Sequence, residues 1–70
     1  MKKKYVTDLF MVKNLYSSNL ERLKNHLNKF YDAILDFEEY DPNVPKYKTA
    51  YKVMKDKNIY MGSIYELKEE

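Results

Sequence analysis

The sequence predicts a small α+β domain of order β-α-β-β, with one long amphipathic helix packed on a three-stranded sheet that ends in a C-terminal β-hairpin. Three observations predict it. Apolar residues recur at steps of three and four between positions 20 and 37, which is the spacing of one helix face. Residues 46–54 alternate strictly, with Tyr47, Thr49, Tyr51 and Val53 on one side and Lys46, Lys48, Ala50 and Lys52 on the other, the period of a strand. Ile59 to Leu67 then supplies a second run rich in β-forming residues.

In residues 5–15, Val6, Phe10 and Val12 alternate with Asp8 and Asn14, while Leu9 and Met11 fill the other face. Such a run suits one strand buried on both sides in the middle of a sheet. A short helix capped at Thr7 is the alternative. The helix is expected over residues 19–39, carried by Leu20, Leu23, Leu27, Phe30, Ile34 and Phe37 and widened by Tyr31 and Leu35. Ser18 with Glu21 three residues later fits a capping box. Asp41-Pro42 supplies the stop, because a proline drives the residue before it out of helical space.

The register of the hairpin follows from its loop. A three-residue loop, Asp56-Lys57-Asn58, separates the faces best, with Asn58 taking the left-handed conformation that such loops need. Tyr47, Thr49, Tyr51, Val53, Ile59, Met61, Tyr65 and Leu67 then share the inner face. Lys46, Lys48, Lys52, Met54, Tyr60, Ile64, Glu66 and Lys68 share the outer one. A helix of about 21 residues is roughly 31 Å long, longer than strands of eight or nine residues at about 28 Å. Its apolar end near Tyr31, Leu35 and Phe37 would overhang and need cover from a partner or a second copy of the chain.

With 70 residues, the chain is a single domain near the lower size limit, and its core yields only about 3–5 kcal/mol net. Disulfides and thiolate metal sites are excluded because there is no cysteine. A lone histidine, His26, is too little for a zinc or copper site and reads as a partly exposed helix residue at the edge of the apolar stripe. The single glycine, Gly62, rules out phosphate loops and dinucleotide fingerprints, which need several. Asp32 and Asp36 lack the cleft that raises one carboxyl of a catalytic pair. The chain is therefore expected to be non-enzymatic, with no cofactor and no metal.

No segment approaches the ~20 apolar residues of a membrane span. The basic start, Met1–Lys4, is followed by Asp8 before any signal-like apolar run forms, and a cytoplasmic location is expected. Heavy use of Lys, Asn and Tyr with a single Gly suits an AT-rich genome such as that of a phage or mobile element.

Charge is segregated along the chain. Residues 1–31 net +5, residues 32–41 net −5, and residues 42–60 net +4. Acids crowd the expected helix C-terminus, where the macrodipole is already negative. That local conflict marks Asp32, Asp36 and Glu39 as candidate contacts for a basic protein surface. On the outer face of the hairpin, Met54, Tyr60 and Ile64 form an apolar strip fringed by Lys48 and Lys52, the usual anatomy of an interface. The expected function is a small protein-binding module, an inhibitor or adaptor acting on a larger, nucleic-acid-processing protein. The alternative is a nucleic-acid binder using a basic hairpin. Stacking on the tyrosines counts against it here, because Tyr47 and Tyr51 face away from the lysines in this register.

Overall fold

The computed structural model describes residues 4–68, so the basic start at Met1–Lys3 lies outside it. The fold is α+β, with one helix on one face of a five-stranded antiparallel sheet. In chain order the elements are β1 (Tyr5–Leu9), β2 (Val12–Ser17), α1 (Leu20–Tyr31), β3 (Leu35–Tyr40), β4 (Tyr47–Lys55) and β5 (Ile59–Leu67). The strands lie in the order β2-β1-β5-β4-β3. The predicted three-stranded β-α-β-β arrangement thus differs in two places.

The first lies at residues 5–15, which form a hairpin instead of one strand. Leu9 pairs with Val12 across a two-residue loop, Phe10 and Met11, with Met11 left-handed at φ 66°. Phe10 and Met11, which made the run look apolar on both faces, sit at the turn, while Leu9 and Val12 pair beside it.

The second concerns the helix, which starts at Asn19 and stops at Tyr31. Asn19 is the N-cap, its side chain accepting from the Arg22 amide at 3.1 Å; the expected cap was one residue earlier. At the other end Asp32 adopts φ 52° and ψ 46°. The Asp32 amide donates to the Lys29 carbonyl and the Ala33 amide to the Asn28 carbonyl, the paired bonds of a Schellman motif. Asp tolerates this left-handed position better than most residues. The Asn28 side chain then accepts from the Leu35 amide at 2.9 Å and launches β3. Leu35 and Phe37 fit a helical stripe and a strand equally well, but with Asp36 between them and Glu38 after them the run alternates as a strand does.

Consequently no apolar helix end overhangs. Leu35 is buried, and Tyr31 and Phe37 pack on the core, which removes the reason given for a dimer. The core lies between α1 and the sheet: Leu23 and Leu27 from the helix meet Leu9, Leu35, Val53, Met61 and Ile64.

The β4–β5 loop has the expected three residues, since Lys55 pairs with Ile59. Its left-handed residues are Asp56 and Lys57, with the Asn58 amide donating to the Lys55 carbonyl. Two left-handed central residues make a type I′ turn, which matches strand twist. Asn58 is not the left-handed one.

Candidate functional site

Three register shifts decide which side chains face away from the helix. A bulge inserts an extra residue and so reverses the facing of everything beyond it. In β5, Val53 pairs with Gly62 while Met54 pairs with Tyr60, leaving Met61 extra. At the start of β4, Tyr47 pairs with Leu67 and Thr49 with Glu66, leaving Lys48 extra. In β2, Asn14 and Leu15 stand against Thr7 alone; Asn14 is left-handed at φ 59°, and the Leu15 amide donates to the Thr7 hydroxyl at 3.0 Å.

These bulges correct the expected faces. Ile64 is not on the outer face: it is fully buried, 0% exposed, in the core under α1. Glu66 follows it to the helix side. Tyr65 and Leu67, expected inside, lie on the open side, and so does Tyr47, whose ring stacks on that of Tyr65 with centroids 4.4 Å apart. Thr49, Tyr51, Val53, Ile59 and Met61 face the helix side as expected, and Lys52, Met54 and Tyr60 the open side.

The open face of the sheet is uncovered by any other element among the described residues. One cross-strand row reads Tyr40, Ala50, Tyr65, Val6, Tyr16 from edge to edge. Large rings on β3, β5 and β2 thus alternate with small residues on β4 and β1. Ala50 and Val6 are only 0% and 6% exposed although no helix covers them, because the rings beside them shelter them. Ser63, buried at 2% exposure, ties rings down from two sides: the Tyr40 hydroxyl lies 2.8 Å and the Tyr60 hydroxyl 3.2 Å from its Oγ. The neighbouring row reads Glu38, Lys52, Ser63, Asp8, Lys13.

On the other side of the tyrosine row, Lys4, Lys48, Leu67 and Lys68 line a shallow depression of about 450 Å³ shared with Glu66. Lys46 holds its ammonium 5.7 Å from the centre of the Tyr47 ring, within reach of a cation–π attraction.

At the opposite end of the sheet the chain gathers exposed apolar groups. The Tyr31 hydroxyl donates to the Phe10 carbonyl. The Phe10 amide donates to the Met61 carbonyl at 2.8 Å, and Lys55 pairs with both Leu35 and Ile59. These links bring the β1–β2 turn, the helix C-terminus, the start of β3 and the β4–β5 turn together. Phe10, Met11, Phe30, Ile34 and Ile59 are exposed there, Ile34 at 85%, with Tyr60 beside them at 62%. This end is not legible from periodicity, which puts Phe10 and Met11 in mid-strand and Ile34 in a helix stripe.

Of the predicted site residues, Asp36, Met54 and Tyr60 stand side by side in one cross-strand row, and Lys52 lies in the next. Asp32 caps the helix at the apolar end. Glu39 pairs with Tyr51 and points to the helix side, Lys48 lies at the far end, and Ile64 is interior. The acidic stretch is mostly edge strand: Asp36, Glu38 and Glu39 belong to β3. There, charges also discourage edge-to-edge pairing, and the expected conflict with the helix dipole is left to Asp32 alone among these acids.

Among the described residues no three His, Asp or Glu side chains form a group that could hold a metal ion. His26 is exposed on α1. No helix of the described chain is long and apolar enough to cross a membrane.

Burial, the largest cause in each case, raises the phenol pKa values of Tyr5, Tyr31, Tyr51 and Tyr65 above the ordinary 10.0. Glu66 adds to the rise at both Tyr5 and Tyr51. Tyr40 adds to it at Tyr65, where the Ser63 hydrogen bond pulls the other way. A raised phenol keeps its proton in the folded state at a pH where the unfolded chain has lost it. The resulting stabilisation is complete below about pH 10 and is lost as pH rises through the folded values. The urea midpoint is therefore expected to be insensitive to these groups near neutrality and to fall above about pH 10. Tyrosinate absorbance should appear at higher pH in the folded protein than in urea; coincident titrations would contradict the burial of these rings.

Comparison with protein-family models, with curated proteins and with solved structures finds no match. The fold and its two exposed surfaces define the class, a small α+β domain with one bare sheet face and one apolar end.

Proposed function

We propose that this chain is a non-enzymatic protein-binding module, an adaptor or inhibitor that docks through the apolar end of its sheet onto a larger protein. The observation that carries the reading is the convergence of Phe10, Met11, Phe30, Ile34 and Ile59 from three separate parts of the chain onto one exposed end. Large contiguous apolar surface on a small protein marks an interaction site. Asp36, Met54 and Tyr60 extend it onto the open face. The acidic edge strand runs away from it, so the partner is a surface with an apolar groove rimmed by Lys or Arg, as nucleic-acid-processing proteins carry. A phage or mobile-element origin and a cytoplasmic setting accord with the composition.

Affinity capture from a low-GC bacterial lysate tests this when variants are compared. Ile34 and Tyr60 are exposed, so Ile34→Asp and Tyr60→Ala are expected to leave stability within about 0.5 kcal/mol and to abolish recovery of the partner. Asp36→Lys should weaken recovery, with the wild-type complex more salt-sensitive than that of the variant. Lys24→Ala, on the helix side, should leave recovery intact. Equal recovery by all four variants removes this end from the account. Light scattering during the same preparations reads self-association; a dimer broken by Ile34→Asp would assign the end to a second copy of the chain.

A further inference from the structure

The geometry points to a second binding site, independent of the apolar end: the tyrosine row on the open sheet face is a stacking platform for a single-stranded polynucleotide. Proteins that hold single strands without reading sequence combine aromatic rings that stack on bases with cations that follow the backbone, on the same surface. In the register expected from alternation alone the two features lay on opposite faces. The bulges at Lys48 and Met61 bring them to one face.

Tyr40, Tyr65 and Tyr16 occupy alternate strands of a single row. Strands are spaced about 4.8 Å apart, so successive rings in the row are separated by about 10 Å. Ala50 and Val6 between them are too small to rise above the rings. Tyr47 adds a ring stacked on Tyr65 at 4.4 Å, and the shared bonds of Tyr40 and Tyr60 to Ser63 fix those rings before any ligand arrives. Such preorganisation lowers the ordering cost of binding.

Lysines line both sides of the row. Lys13 and Lys52 lie in the row toward the apolar end, and Lys4, Lys48 and Lys68 surround the depression at the other. Glu38 stands opposite Lys52 and Asp8 opposite Lys13, so that row is balanced, with Asp36 beyond it; the positive excess comes from Lys4, Lys48 and Lys68 against Glu66 at the depression. The row offers ring faces to unpaired bases and carries no helix or ribbon that would enter a duplex groove, which selects single strands over duplex.

The experiment is fluorescence anisotropy of a fluorescein-labelled oligothymidylate titrated with the intact chain, with an unlabelled oligoribonucleotide and an unlabelled duplex as competitors. Binding is expected at low salt, with a log–log salt slope of about −0.7 per phosphate neutralised on a single strand. Tyr16→Leu and Tyr40→Leu should each weaken it by about 5- to 100-fold, while Tyr16→Phe keeps it and Tyr40→Phe, which keeps the ring but loses the bond to Ser63, weakens it less than Tyr40→Leu. Lys13→Gln and Lys52→Gln should each reduce the slope by about 0.7. Circular dichroism confirms that each variant folds. Ile34→Asp should bind as the wild type does, which separates this site from the docking end. Absence of binding at low salt, leucine variants equal to wild type, or a duplex that competes as well as single strands would each overturn the site. Competition by the oligoribonucleotide decides only whether RNA shares it with DNA.

Discussion

Gly62→Ala is expected to leave the chain largely unfolded at 25 °C. Gly62 sits in the centre of the sheet, paired with Leu9 on β1 and with Val53 on β4, at φ +128°, a conformation that residues with a Cβ rarely adopt. A Cβ placed there would lie 2.2 Å from the Asp8 carbonyl oxygen and 2.8 Å from the Leu9 Cα. Both atoms are backbone, so no rotamer change relieves the contact, and β1 must separate from β5. Strained φ costs about 1–3 kcal/mol, and overpacking costs a similar amount. Together they approach the whole net stability of about 3–5 kcal/mol that a core of this size provides. Urea denaturation followed by circular dichroism measures it. A loss below about 1 kcal/mol, the ordinary cost of replacing a strand residue, would mean that Gly62 is not at a bulge.

Ile64→Ala carries the second large effect. Ile64 is fully buried among Leu23, Leu27, Leu9 and Val53, so its truncation removes transfer energy and leaves a cavity, for a cost of about 2–5 kcal/mol. On the outer face, where simple alternation places it, the same change would cost within about 0.5 kcal/mol. The measurement is again the urea midpoint, with Tyr60→Ala as the exposed neighbour from the same strand. Equal small shifts for the two would return Ile64 to the surface.

Much of the architecture is legible from the residues. The α+β class, the two C-terminal strands, the three-residue loop between them and, to within a residue, the start of the helix follow from periodicity, while the cap itself is Asn19 and not Ser18. What is not legible has physical causes. Leu35 and Phe37 satisfy a step of three or four and a step of two at once, so the apolar pattern could not separate the end of α1 from β3. The acids did carry the signal. Asp36, Glu38 and Glu39 at a helix C-terminus oppose the macrodipole, and that conflict is a sign that these residues belong to a strand. A local rule broken without compensation is first a reason to reconsider the local structure.

Bulges are the other cause. Each reverses the facing of a strand while leaving its composition unchanged, so Ile64 and Tyr65 exchange faces relative to strict alternation. Gly62 is the trace they leave in the sequence. An isolated glycine within a strand pattern marks a bulge or a close backbone approach, and here it marks both. Lys48 and Asn14 leave weaker traces, since neither residue type is diagnostic. Asp36, Lys52, Met54 and Tyr60 share the open face, because Lys52, Met54 and Tyr60 lie between the bulges at Lys48 and Met61 and Asp36 pairs with Met54. Ile64 and Lys48, beyond or within a bulge, do not join them.

Nuclear Overhauser contacts from the Ile64 methyl groups test the placement of the two faces most directly. They are predicted to reach the methyls of Leu23 or Leu27 on the helix, while the Tyr65 ring shows contacts to the Tyr47 ring across the open face. Contacts from Ile64 to the Tyr60 and Met54 side chains, with Tyr65 reaching the helix instead, would contradict the account and dissolve both proposed surfaces.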